Sequence, residues 1–183
     1  ADKAERIPLT IADADSNAGT ITLVFQVVGK STAELSDLKE GDSIHDLAGP
    51  LGKPTHVENF GSVVCIGGGI GIAPLHPIAQ AMKSAGNRVT SILGARTKNL
   101  LIMQEHMKKA SDEVIVVTDD GSAGDQGFVT TALEKLISSG EKIDMVVAIG
   151  PSIMMKMVCK VTKQHDIRTV VSLNTIMVDG TGM

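Results

Sequence analysis

Aromatic side chains are almost missing from this sequence: 2% of its 183 residues, as three Phe with no Tyr and no Trp. Ligands held by ring stacking, such as single-stranded nucleic acid or sugars, are therefore poor candidates. Positive charge is short as well. Lys and Arg number 17 against 21 Asp and Glu, a net charge of −4, so no basic stripe answers a phosphate backbone and a nucleic-acid partner is excluded. No apolar run reaches the roughly 18 residues of a membrane span, and no basic-then-apolar N-terminus reads as a signal peptide, so no membrane partner is expected. The two cysteines, Cys65 and Cys159, sit in apolar stretches without Cys-x-x-Cys spacing and read as small buried hydrophobes rather than a disulfide framework. His45, His56, His76, His106 and His165 form no HxxxH or HExxH pair, so no metal site is expected from residues of this chain. A reducing, cytoplasmic compartment fits this usage.

What is present is glycine, nineteen of them, and short Val/Ile runs at regular intervals. The first 57 residues differ from the rest. Residues 6–13 and 20–28 read as strands joined by the turn-rich Asp13–Gly19, and Thr32–Leu38 reads as a short helix. Ser43–Ala48 reads as a third strand before Gly49-Pro-Leu-Gly52. Three strands and one helix bury little core, so this part looks incomplete. From Gly61 onward, strand, glycine turn and helix repeat. Strands are expected at Ser62–Ile66, Arg88–Leu93, Glu113–Thr118, Asp144–Ile149 and Thr169–Leu173, with helices at Pro74–Ala85, Lys98–Lys109, Val129–Ser138 and Ile153–Gln164. Five apolar strands alternating with four helices predict an α/β domain with a five-stranded, doubly wound parallel sheet. The expected division is 1–57 and 58–183.

The sharpest local feature is Gly67-Gly-Gly-Ile-Gly-Ile-Ala-Pro74 after the first parallel strand. Glycines there let backbone N–H groups and a helix N-terminus approach a phosphate, and Pro74 suits a first helical turn. It is neither the GxGxxG fingerprint nor a P-loop. A tight strand–helix joint is the plainer alternative, but four glycines in five residues exceed what a joint requires. A nucleotide pyrophosphate is expected against Gly67, Gly68, Gly69, Ile70, Gly71, Ala73 and Pro74. Ligands of open α/β sheets lie beyond the strands' C-terminal ends, which adds the loops at Gly94, Asp119–Asp120 and Gly150–Pro151. Arg96 suits a 2′-phosphate or an ordinary surface ion pair; Asp119 and Asp120 suit ribose hydroxyls or a simple turn. No nucleophile elbow, catalytic triad or carboxylate pair stands out, which suits cofactor chemistry.

Six segments in order, Arg6–Thr10, Val28–Thr32, Gly49–Gly52, Gly67–Pro74, Thr118–Ser122 and Gly150–Met155, resemble the ferredoxin–NADP reductase superfamily over essentially the whole chain. Within it, the likeness is to the electron-transfer subunit of dihydroorotate dehydrogenase. It is closer still to the small subunit of NADH-dependent ferredoxin:NADP oxidoreductase, the sulfide dehydrogenase type. The resemblance implies part of an antiparallel FAD-binding β-barrel followed by an NAD(P)-binding domain. It assigns Arg6, Pro8, Leu9, Thr10, Phe25, Gln26, Gly29, Ser31 and Thr32 to FAD. Arg6 stands one residue early, and Leu9 stands where many relatives carry Tyr. Ser31 and Thr32 also read as helix N-caps. Gly150, Pro151 and Met154 match the segment facing the nicotinamide. Members start with two further barrel strands and continue past the position of Met183 into four cysteines that bind [2Fe–2S]; this implies a piece of a longer protein. The implied activity is electron transfer between NAD(P)H, FAD and that cluster, on to a catalytic partner subunit and to ferredoxin. A redox-inactive nucleotide-binding module of the same fold is the alternative of another class.

Overall fold

The computed structural model describes residues 6–173. An antiparallel pair comes first, β1 (Ile11–Asp15) and β2 (Thr20–Leu23), followed by a short helix, α1 (Lys30–Ser36). The Asp15 carboxylate closes the β1–β2 turn by accepting the Asn17 and Ala18 amides at 2.8 and 3.0 Å. Ser43–Ala48 is exposed and joins no ladder among the described residues, contrary to expectation: an apolar alternation becomes a strand only where a neighbour takes its hydrogen bonds. For the same reason β2 stops at Leu23, although the apolar run continues to Val28.

The second part is a parallel sheet with the order β6-β5-β4-β3-β7-β8. Its strands are β3 (Ser62–Gly68), β4 (Arg88–Ala95), β5 (Glu113–Thr118), β6 (Asp125–Gln126), β7 (Met145–Ile149) and β8 (Arg168–Val171). The crossover helices are α2 (Ile72–Ser84), α3 (Gln104–Ala110), α4 (Val129–Ser138) and α5 (Ser152–Gln164). The sheet is doubly wound with six strands rather than five, because the loop after β5 lends the two-residue β6. The expected helix over Lys98–Lys109 is divided. Leu101, Ile102 and Met103 cross as packed, non-helical chain against the core, and Met103 turns left-handed (φ 52°) just before α3.

Why the strands are apolar at every position is visible in their two faces. On β3, Val63 and Cys65 pack with α2 and α3 residues such as Leu75, Met82 and Met107, whereas Val64 and Ile66 pack with Leu133, Val158 and others from α4 and α5. β7 alternates likewise, Met145 and Val147 to one side, Val146 and Ala148 to the other. Each fully buried aliphatic side chain contributes about 1.5–3 kcal/mol, so the stability of this part resides in these layers. Asn87 staples its entrance: its Oδ1 accepts the Phe60 and Gly61 amides (2.7 and 3.0 Å), and its Nδ2 donates to the Glu58 and Met82 carbonyls (both 2.8 Å).

Candidate functional site

The first strand of the sheet, β3, is central: the chain moves outward through β4 and β5 on one side, then returns to build β7 and β8 on the other. Strand order reverses between β3 and β7, the place beyond the strands' C-terminal ends where ligands of open α/β sheets bind. Gly67–Gly71 lie at the end of β3 and Gly150–Pro151 at the end of β7. Gly68 pairs with Gly94 of β4, and Gly67 with Ile149 of β7.

The four glycines differ in role, and this corrects the view that they exceed the needs of a joint. A methyl on Gly67 would lie 2.9 Å from the Ile72 side chain and 3.1 Å from Leu75. One on Gly68 would overlap the Met154 sulfur, and one on Gly71 would overlap the Ile149 carbonyl and stand 2.8 Å from Gly150 Cα. Gly150 is equally tight, 3.1 Å from Gly68 Cα, and Gly94 is tight against Val129. These five positions are glycine because strand, helix and loop touch there. Gly69 alone has open space around its missing side chain, together with a left-handed backbone (φ 55°). No side chain caps the turn at Gly69–Gly71 or the start of α2; the first amide of this helix, that of Ile72, donates back into the turn to the Gly69 and Ile70 carbonyls. Ile70 is exposed, Pro74 is half-buried, and Ala73 is buried, able to offer only its backbone.

The neighbouring loops form one network. The Asp119 and Asp120 amides donate to the carbonyls of Ala95 and Arg96 at 3.1 and 3.3 Å, joining the ends of β5 and β4. The Asp120 carboxylate accepts the Ser122 hydroxyl (2.6 Å) and amide (2.9 Å), which hold it below the usual carboxylate range. It serves its own turn, one of the two readings open for Asp120; the Asp119 side chain makes no hydrogen bond among the described residues. Ser122 Oγ also accepts the Lys98 amide at 2.7 Å. Ser122 and Lys98 were not singled out from the sequence, although Asp-x-Ser is itself a turn signal. Arg96 is exposed and makes no ion pair among the described residues.

The N-terminal residues assigned by resemblance lie apart from this turn in sequence and are mostly exposed or half-buried: Pro8, Leu9, Thr10, Phe25, Gln26 and Ser31. The side chains of two of the nine residues assigned there already have partners. Arg6 pairs with Asp46, and Thr32 Oγ1 accepts the Val28 and Gly29 amides at 3.0 and 3.1 Å. Gly29, not Ser31 or Thr32, is the N-cap of α1, and a side chain there would meet open space. Met154 is half-buried over Gly68 and Gly150. Cys65 is fully buried, its thiol pushed up to about 12 by desolvation, which makes it inert. Cys159 is only half-buried on α5, not a core residue. Among the described residues no group of three or more His, Cys, Asp or Glu could hold a metal, and no helix is long and apolar enough to cross a membrane.

Residues 65–160, which contain the glycine turn, match the model of the oxidoreductase NAD-binding domain. The chain belongs to this family. Its members in view are ferredoxin–NADP reductase-like. The chain is 54% identical over 182 residues to the dihydroorotate dehydrogenase B (NAD(+)) electron transfer subunit homolog of Thermotoga maritima, covering 100% of this chain and 64% of that protein. It is 35% identical to a probable subunit of the same kind from Methanopyrus kandleri, covering 96% of this chain and 65% of that one. Among solved structures, that of an NADH-dependent reduced ferredoxin-NADP oxidoreductase, described for flavin-based electron bifurcation, matches with a TM-score of 0.90 and 49% identity over 100% of this chain and 66% of that one. The chain thus spans just under two thirds of these family members.

Proposed function

We propose that this chain forms the nucleotide-binding part, and a portion of the flavin-binding part, of an FAD-dependent NAD(P)H oxidoreductase subunit. Residues 6–57 would serve the flavin and 58–173 the nucleotide. The observation that carries the reading is the glycine turn at the β3–β7 reversal: an open, left-handed Gly69 before a helix start with no side-chain cap. That cradle fits a dinucleotide pyrophosphate, the amides of the Gly69–Gly71 turn facing the anion while Arg96 and Lys98 supply nearby positive charge. On the flavin side, Gly29, which leaves open space, and the neighbouring Ser31 fit a polar ligand, whereas Arg6 would have to leave Asp46 to take part. When bound, the flavin accepts a hydride from the nicotinamide and releases electrons singly; the protein's share is to hold both and keep them in line.

The electrons would then pass to a [2Fe–2S] cluster, whose ligands this chain does not contribute from its described residues, and to a catalytic partner subunit or ferredoxin in the cytoplasm. The ferredoxin:NADP oxidoreductase type is favoured by the 0.90 TM-score. The dihydroorotate dehydrogenase type is the second reading, favoured by the relative at 54% identity. The deciding experiment is anaerobic titration of the purified full-length protein with NADH and NADPH. Flavin absorbance that bleaches with one equivalent of reduced nucleotide is expected. Protein without flavin, or flavin that neither nucleotide reduces, would leave a redox-inactive nucleotide-binding module. The subunit that co-purifies separates the two oxidoreductase types.

A further inference from the structure

We propose that His76 is a positioning residue that sets the N-terminal sheet against the nucleotide-binding sheet, through one hydrogen bond from α2 to β1. His76 is 1% exposed, a buried polar residue on a helix face otherwise given to Ile72, Leu75, Ala79 and Met82. Its Nδ1 lies 2.9 Å from the Ala12 carbonyl oxygen. A carbonyl only accepts, so Nδ1 carries the proton. Ala12 is also the one buried residue between Arg6 and Ser62 among the described residues. The single inward point of the N-terminal region is thus where a buried ring donates to it. The ring has two further neighbours: His106 meets it edge-on with centroids 5.6 Å apart, and an Asp13 carboxylate oxygen lies 3.9 Å from the same Nδ1.

The location gives this bond a consequence. His76 follows Ile72, the first residue of α2, by one helical turn, so one rigid helix carries both the open glycine turn and the contact to β1. An aliphatic side chain would fill the same volume without specifying where β1 sits along the helix; a directional donor specifies it. Hydride transfer needs reacting atoms about 3–3.5 Å apart, and a displacement near 1 Å costs on the order of a hundredfold in rate. The inference rests on the reading that flavin and nucleotide occupy the two sheets.

The test is made in the flavin-loaded full-length protein with His76→Leu, His76→Asn and His76→Gln. Asn carries an amide nitrogen where Nδ1 stands; Gln carries one where Nε2 stands. In His76→Leu, amide hydrogen exchange over Ile11–Asp15 should rise roughly tenfold or more while β3 and β7 stay protected. Flavin reduction at saturating NAD(P)H should fall about tenfold or more, with nucleotide affinity within about twofold of the parent. His76→Asn should restore both, and His76→Gln neither. If His76→Leu does not fold, the Asn and Gln variants decide, and equal behaviour of the two overturns the proposal. Parent-like exchange in β1 together with a parent-like reduction rate in His76→Leu also overturns it. Parent protein that holds no flavin defeats the functional reading instead, and the exchange arm still judges the bond.

Discussion

The two halves of the described chain are built from similar residues and meet opposite fates. Between Arg6 and Phe60, Val27, Val28, Ile44, Leu47 and Leu51 are exposed, Val28 by 82%, and only Ala12 is buried. Between Gly61 and Val171, Val and Ile are denser and line two closed layers on the faces of one sheet. The difference is hydrogen-bond partnership. Each central strand after Gly61 has a neighbour on both edges and a helix on each face, whereas among the described residues β1 and β2 pair only with each other and β1 rests on the single helix α2. Apolar composition is thus a capacity for burial, and adjacent elements decide whether it is used.

Paired substitutions sharpen this contrast, and the glycines give the largest effect. Gly71→Ala drives a methyl into the backbone of Ile149 and Gly150, which cannot yield, so thermal or denaturant unfolding should register a loss of about 4 kcal/mol or more. Gly29→Ala, facing open space at a helix N-cap, should cost only about 0.5 kcal/mol. Leu75→Ala in the closed layer should cost about 3 kcal/mol, against less than about 0.5 kcal/mol for exposed Leu47→Ala; equal losses would mean that the first region buries Leu47 in solution.

Asn87→Ala removes the partner of two amides and two carbonyls at the boundary between the regions. About 2 kcal/mol should be lost, with faster hydrogen exchange at Phe60 and Gly61. Gly69→Ala should cost about 1 kcal/mol for its left-handed backbone and weaken NAD(P)H binding about tenfold, the reverse of the Gly71 pattern. Unchanged affinity would move the pyrophosphate away from this turn.

The smallest effect is acid dependence at Asp112. The Val89 amide, and beyond it Lys83, hold this carboxyl below its ordinary range. A depressed folded value stabilises above the unfolded pKa near 4, and that contribution is lost as pH falls through the folded value. Asp112→Asn should therefore unfold more easily at pH 7, with its gap to the parent narrowing on acidification below about pH 4.

The sequence by itself determined the parallel sheet, its crossover helices and the glycine turn after the first strand. Strands covered on both faces must be apolar throughout, and strand–glycine–helix punctuation is a local property readable from residues such as Val63–Gly71. Only the tertiary structure decided what each residue does there. The sequence cannot say that Gly68 and Gly71 are glycine because Met154 and Ile149 press on them, or that Asp120 is held by Ser122. Nor could it say that Ser43–Ala48 pairs with no strand among the described residues, or that His76 turns inward to Ala12, 64 residues away. Propensity and pattern act over a few neighbours, whereas contact and hydrogen-bond partnership depend on which distant segments arrive at the same place.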